Sequence, residues 1–324
     1  MKVVIIGCGL IGEKRAKVLG GHELIGVVDI DAARAKRIAS LYGTSNTKIF
    51  SNWEEAVALS GADIVIVSTT NNLLTPIGVA AVRNGKHVLV EKPAARSSKE
   101  LLQLIEASEK YGKIVKVGFS LRFHPAVVKA GEVIKSGAIG PLMFIRGRYG
   151  HGGRIGYDKE WRANPEISGG GELIDQGVHL IDLSRLFLGD FEHVDGFEHT
   201  YFWDMPVDDN AFLSLRTKQQ QMAWLHVSCS EWKNMFCLEI YGRDGKLQID
   251  GLGGSYGTEK LTFYKMLPQM GPPETSVFEF PGEDISWKEE FNHFVHCIEG
   301  GGELNGGLAD AYEVLKVVDK IYGR

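Results

Sequence analysis

Six residues near the N-terminus constrain this chain more than any other stretch. Gly7-Cys8-Gly9-Leu10-Ile11-Gly12 directly follows the β-branched run at residues 3–6 and opens a segment with helical spacing over 10–19. A strand that turns through three glycines into a helix builds an anion cradle. The first glycine permits the tight turn. The second lets the backbone approach a pyrophosphate, and the third lets helix and strand pack closely. The helix N-terminus then offers free N–H groups and a positive dipole end. Asp29 ends the next β-branched run, 24–28, and lies 17 residues beyond Gly12. A carboxylate there can accept both ribose hydroxyls of an adenosine and repels a 2′-phosphate, which favours NAD over NADP. Arg34 keeps NADP open as the alternative.

The rest of the N-terminal part repeats the same rhythm. Short apolar runs at 64–67, 87–90 and 114–117 alternate with helical spacing at 31–41, 73–84 and 98–110. Continuous apolar strands separated by helices predict a doubly wound parallel sheet, an α/β fold. Ser97 with Glu100 is a capping box for the helix that begins near 98. After about residue 120 the pattern changes. A helix is expected from Pro125 to about Ser136. Longer alternating segments come next at 142–149, 191–201, 210–217, 221–228, 236–241 and 246–250, as in a largely antiparallel sheet. Helices are expected at 172–187, 287–298 and 307–322. The expected division is a dinucleotide-binding domain over 1–120 and a substrate and oligomerisation domain over 121–324, with the last helix free to pack on the first domain.

Charge supports that division. Residues 1–118 carry 16 Lys and Arg against 11 Asp and Glu, whereas the remainder carries 20 against 30. The basic part favours an anionic ligand. Its cations are scattered, without the stripe and interleaved aromatics of a nucleic-acid surface. No apolar run approaches the ~20 residues needed to cross a bilayer, and no signal-peptide pattern opens the chain. Cys8, Cys229, Cys237 and Cys297 have no metal-ligand spacing, so they read as free thiols of a cytoplasmic protein.

Two further motifs carry chemistry. Glu91-Lys92-Pro93 follows the run 87–90, and strand carboxyl ends are where ligands sit in such sheets. The Lys92 ammonium there can stabilise charge on a substrate oxygen during hydride transfer. Gly169-Gly170-Gly171 leads into a helix on which Asp175 and His179 are four apart and share a face. An acid beside an imidazole suits general acid–base work. The plainer alternative is a buried histidine paired with Asp175 for stability, and a metal on Asp175, His179 and Asp182 is a third.

These motifs together resemble the glucose–fructose oxidoreductase, inositol dehydrogenase and MocA family over essentially the whole chain. The resemblance is carried by the glycine turn, by Ser68-Thr69-Thr70-Asn71, by the run from Gly85 to Pro93, by residues 117–123 and by residues 169–182. It implies a Rossmann domain followed by an α/β domain with a large open sheet, which the family commonly uses to form dimers or tetramers. It also implies hydride transfer at a hydroxyl or keto carbon of a sugar, cyclitol or nucleotide sugar. By resemblance His179 takes the hydroxyl proton, Lys92 holds the same oxygen and the cofactor ribose, and Asp175 orients a hydroxyl or the histidine. Cofactor contacts are implied for Gly7, Gly9, Leu10, Ile11, Gly12, Asp29, Ser68, Thr69, Asn71, Glu91 and Lys92. Substrate contacts are implied for Arg122, Tyr149, Trp161 and Arg162. His124, His151, Tyr157 and Asn164 are further donors to sugar hydroxyls, or plain surface, and 149–170 and 251–275 are expected as irregular specificity loops. The family often has Pro where Thr70 stands and His where Leu74 stands. The alternatives are a glycosidase that uses transient oxidation and a redox-silent NAD-binding protein. The Lys–Pro bond is often cis in the family.

Overall fold

Every residue from 1 to 324 is described in the computed structural model. The N-terminal part runs β1 (Lys2–Ile6), α1 (Leu10–Lys17), β2 (Glu23–Val28), α2 (Ala32–Tyr42), β3 (Lys48–Phe50), α3 (Trp53–Val57), β4 (Ile64–Val67), α4 (Asn71–Arg83), β5 (His87–Val90), α5 (Ser98–Tyr111) and β6 (Val115–Val117). The six strands are parallel in the order β3-β2-β1-β4-β5-β6. The order reverses between β1 and β4, which is where such sheets open a crevice for a ligand. All four residues of β4 are buried, because helices cover both faces. The capping box takes an altered form. Ser97 Oγ accepts from the Glu100 N–H at 3.2 Å, but Glu100 Oε2 reaches back to the Arg96 N–H at 2.8 Å. β3 and α3 escape the sequence reading because each is short; β3 is exposed or half-buried throughout, so it shows no apolar run.

The second part contains α6 (Pro125–Lys135), β7 (Leu142–Gly150), the short α7 (Pro165–Ser168), a π-helical turn at Leu173–Gly177, α8 (Val178–Leu188), β8 (Phe191–His199), β9 (Asn210–Thr217), β10 (Met222–Ser228), β11 (Met235–Gly242), β12 (Gly245–Asp250), β13 (Glu259–Lys265) and β14 (Glu274–Phe280). Its eight strands lie in the order β14-β13-β12-β11-β7-β10-β9-β8. Every pair is antiparallel except β7 with β10. The stretch 251–275 is less irregular than its glycines suggest, since it holds β13 and the first residues of β14. β14 lacks a buried face and lies at the edge of its sheet, so no alternation marks it.

Two helices close the chain, α9 (Ser286–Ile298) and α10 (Leu308–Ile321). Contacts divide the molecule into a first unit of Met1–Phe119 with Trp287–Tyr312 and a second of Ser120–Ser286 with Glu313–Arg324. In the first unit Phe291, Phe294 and Val295 of α9 pack in one core with Val3, Ile5, Leu24, Ile64 and Leu89. No helix is long and apolar enough to cross a membrane.

Candidate active site

The glycine turn of the first unit meets three different demands. Gly7 has φ +93°, and a Cβ there would lie 2.3 Å from the Ser68 carbonyl oxygen. At Gly12 a Cβ would lie 1.9 Å from the Gly7 carbonyl oxygen, so helix and turn touch there. Around Gly9 nothing comes within 4 Å of that position. The middle glycine therefore faces open space at the head of α1, and no side chain caps that helix. Its first N–H groups remain for an anion. Ser68 Oγ donates to the Gly7 carbonyl at 2.8 Å and ties β4 to the turn.

Asp29 is fixed by this turn. Its Oδ2 accepts from the Cys8 N–H at 2.7 Å and its Oδ1 from the Asp31 N–H at 2.8 Å. Each oxygen keeps a further lone pair for a hydroxyl donor. Burial, with Asp29 close by, pushes the Cys8 thiol up to about 12, so it stays protonated. Leu10 is exposed and Ile11 half-buried, at the mouth of the cradle. Ile30, next to Asp29 in sequence, is fully exposed and lies outside the motif reading, which stops at the acid. Arg34 pairs with Asp31 at 3.4 Å. An adenosine diphosphate group thus finds an open glycine, a helix terminus and an oriented acid.

Residues 68–71 and 91–93 lie at the carboxyl ends of β4 and β5. Thr69 and Thr70 are half-buried, while Asn71, the first residue of α4, is buried. Leu74, where the family often has His, is completely buried. Lys92-Pro93 is a cis peptide, and the Lys92 side chain is half-buried. Glu91, expected at the cofactor, instead turns its carboxylate inward. Arg15 Nε donates to it at 2.7 Å, and Arg15 also reaches Glu290 at 2.7 Å. Lys116 meets Glu290 at 3.4 Å, and the Trp287 ring stacks on the Arg15 guanidinium at 4.4 Å. A buried carboxylate needs such a partner. Glu91 therefore anchors the backbone from which Lys92 projects. Arg15 and Glu290 are the residues sequence reasoning missed here; nothing local links positions 275 apart.

The second unit builds its part of the site around the glycine loop. Gly170 has φ +151°, and at Gly171 a Cβ would lie 1.9 Å from the Asp208 carbonyl oxygen. The Asp208 carboxylate accepts from the N–H groups of Gly171 at 2.9 Å and Leu173 at 2.7 Å, and from the Tyr322 hydroxyl at 2.7 Å. Asp208 thereby caps the helical segment that begins at Leu173. Burial raises its carboxyl above the usual range, against the pull of these donors. The expected continuous helix over 172–187 is instead a π-helical turn, Leu173–Gly177, running into α8. Gly177 permits this, since its Cβ position is 2.9 Å from the Leu173 side chain. Such turns are frequent at functional sites.

Asp175 lies on that turn and His179 on the first turn of α8. Arg162 Nε donates to Asp175 at 2.9 Å, which brings together two of the expected residues. Trp161 lies beside the Arg162 guanidinium at 4.6 Å. His179 is buried, with the Tyr149 ring edge-on at 6.0 Å. Tyr149 is itself buried, hydrogen-bonded to Tyr256, and burial raises its phenol well above the ordinary value. Glu172 is buried with the His151 ring at 3.7 Å, and His151 meets Tyr157 edge-on at 5.5 Å.

Arg122 departs from expectation. Its guanidinium is buried and binds Asp182 through two bonds, Nε at 2.8 Å and a terminal nitrogen at 2.6 Å. That pairing commits the charge expected at the substrate, and it occupies the third carboxylate of the conceived metal set. His124 is likewise buried, at 2.8 Å from Glu259. Asn164 caps α7 through the Glu166 N–H at 3.0 Å.

Two family models match the chain. The N-terminal one, described as oxidoreductase family, NAD-binding Rossmann fold, matches residues 1–119. The other, the GFO/IDH/MocA C-terminal domain, matches residues 127–248. In sequence the chain is 24% identical to levoglucosan dehydrogenase of Pseudarthrobacter phenanthrenivorans, over 91% of this chain and 85% of that protein. It is 27% identical to inositol 2-dehydrogenase of Salmonella typhimurium, over 59% of this chain and 55% of that protein. In structure it superposes on a levoglucosan dehydrogenase complex with NADH and levoglucosan at a TM-score of 0.89. That match has 22% identity and covers 100% of this chain and 96% of the other.

Proposed function

The chain belongs to the GFO/IDH/MocA oxidoreductase family, and from that premise we propose that it is an NAD-dependent dehydrogenase or reductase of sugars or cyclitols. One observation carries the reading: the middle glycine of the turn faces open space at the sheet's switch point, beside an acid already oriented for a ribose. Bound there, NAD supplies the hydride acceptor and NADH the donor. Relatives named levoglucosan dehydrogenase and inositol 2-dehydrogenase support a polyhydroxylated substrate.

The protein's own residues manage the proton and the charge. His179 takes the proton from the substrate hydroxyl as its carbon is oxidised, and returns it in the reverse direction. Lys92 stabilises the oxygen while it carries negative charge. Asp175, steadied by Arg162, orients a neighbouring hydroxyl. Tyr149 packs against the His179 ring and shields it from bulk water. Both reactants are held, which supplies a large share of the rate. The enzyme works in the cytoplasm as a homodimer or homotetramer.

Substitution tests these roles. His179→Ala lowers turnover by about 10²-fold or more while the NAD-induced rise in melting temperature is retained, and Lys92→Ala is at least as damaging. Near wild-type turnover of either variant would remove that residue from the mechanism.

A further inference from the structure

The second unit displays aromatic side chains outward on a loop that a buried charge holds rigid. Tyr201, Phe202 and Trp232 are 61%, 51% and 75% exposed. Asp209, completely buried, accepts three successive backbone N–H groups: Tyr201 at 2.8 Å, Phe202 at 2.7 Å and Trp203 at 3.0 Å. The Thr200 hydroxyl closes the loop on the Val207 carbonyl at 2.7 Å. A second segment is tied to it. Trp203 Nε1 donates to the Cys229 carbonyl at 2.9 Å, and Asn210 bridges Asp209 and Ser230, both at 2.9 Å. Phe202 meets Trp232 edge-on at 4.9 Å. Trp232 has φ +60°, and its backbone lies against Gly152, where a Cβ would approach within 3.1 Å. A bulky residue in that conformation is strained, and strain of this kind concentrates at binding sites.

The platform is continuous with this unit's part of the site. The Trp203 ring packs against Tyr157 at 5.6 Å, Tyr157 against His151 at 5.5 Å, and His151 against Glu172, three residues before Asp175. Of the charges on the two segments, 199–210 and 229–234, Asp208 and Asp209 are buried, which leaves Asp204 and Glu231 against Lys233 at the surface, without the cluster of cations that would hold a diphosphate. Exposed aromatic faces beside polar groups suit a ring that is apolar on one face and hydroxylated at its rim.

We propose that Phe202 and Trp232 form a distal subsite that stacks a second, neutral sugar ring, so that the preferred substrate is a glycoside or disaccharide rather than a free monosaccharide. This rests on the sugar oxidoreductase reading and extends it to a substrate class.

Calorimetric titration of the NAD-loaded protein with glucose, cellobiose, maltose and UDP-glucose tests it, since binding is read independently of turnover. The expected result is that cellobiose or maltose binds roughly five- to tenfold tighter than glucose. In Trp232→Ala, and in Phe202→Ala, that ratio falls to about one, while the NAD-induced thermal shift shows that the variants fold. Three outcomes would overturn the proposal: neither disaccharide gains over glucose, the gain survives both substitutions, or only UDP-glucose gains. A change of oligomeric state in the variants by light scattering would instead make the platform an interface between copies, and would also overturn it. If the sugars bind as expected but none is oxidised, the function reading fails and the subsite stands.

Discussion

Gly9 and Gly12 stand three residues apart, yet the backbone asks opposite things of them. Gly12 touches the turn and tolerates no Cβ. Gly9 has φ −71° and ψ −164°, a conformation open to any residue, and no atom nearby. Nothing in the fold demands glycine there; the proposed cofactor does. Gly9→Ala should therefore lower the melting temperature of the ligand-free protein by only a few degrees, since alanine is the poorer N-cap by about 1 kcal/mol. The variant should lose the stabilisation that NAD confers by binding the folded state. Thermal melts with and without NAD check this; an undiminished NAD shift would sink the assignment of the turn. At this scale much was legible. The glycines, Asp29, Lys92, Asp175 and His179 stand out as candidates because the chemistry proposed for them depends on residue type and short spacing. The buried pairings of Glu91 and Arg122 were not legible because their partners, Arg15 and Asp182, lie 76 and 60 residues away. A charged residue in a motif looks the same in sequence whether it faces a ligand or a buried counter-charge.

At the scale of elements, alternation and apolar runs revealed most of the strands that pack on a core; β3 and β14 eluded it because they contribute little to one, and β13 because its buried residues include Glu259 and Thr262. The π-helical turn was illegible for another reason. It depends on Gly171 closing against Asp208 and Gly177 against Leu173, which helical periodicity cannot express. Asp208 and Asp209 are adjacent and serve different elements, one capping the glycine loop before α8 and the other holding the aromatic loop. Burial alone would raise the Asp209 carboxyl. The Asn210 amide and the N–H groups of Tyr201, Trp203 and Phe202 outweigh it and hold the carboxyl below its ordinary value. A depressed folded value contributes stability above the unfolded carboxyl's pKa, about 3.9, and loses it as pH falls through the folded value. Asp209→Asn should cost about 1–3 kcal/mol at pH 7. Its stability deficit should shrink on acidification toward about pH 3, below the unfolded carboxyl's pKa. Denaturant melts across that range decide the matter, and a deficit independent of pH would show that the charge is not what holds the loop.

For the whole molecule, the chain makes a Rossmann unit, continues into a second unit with a broad sheet, and returns α9 to the first core. That return places Glu290 on Arg15 and so steadies both α1 and the turn that carries Lys92. The change of pattern near residue 120 was readable from strand spacing and from the reversal of net charge. The return of α9 was not, because an amphipathic helix does not state which core it covers. On the proposed reading this architecture serves NAD-dependent oxidation of a polyhydroxylated substrate. The most direct test monitors nicotinamide absorbance while the purified protein is offered NAD or NADP with a panel of sugars, anhydrosugars, cyclitols and disaccharides. NADH should form with at least one of them, with a clear preference for NAD over NADP. Absence of turnover with every compound, although NAD binds, would contradict it.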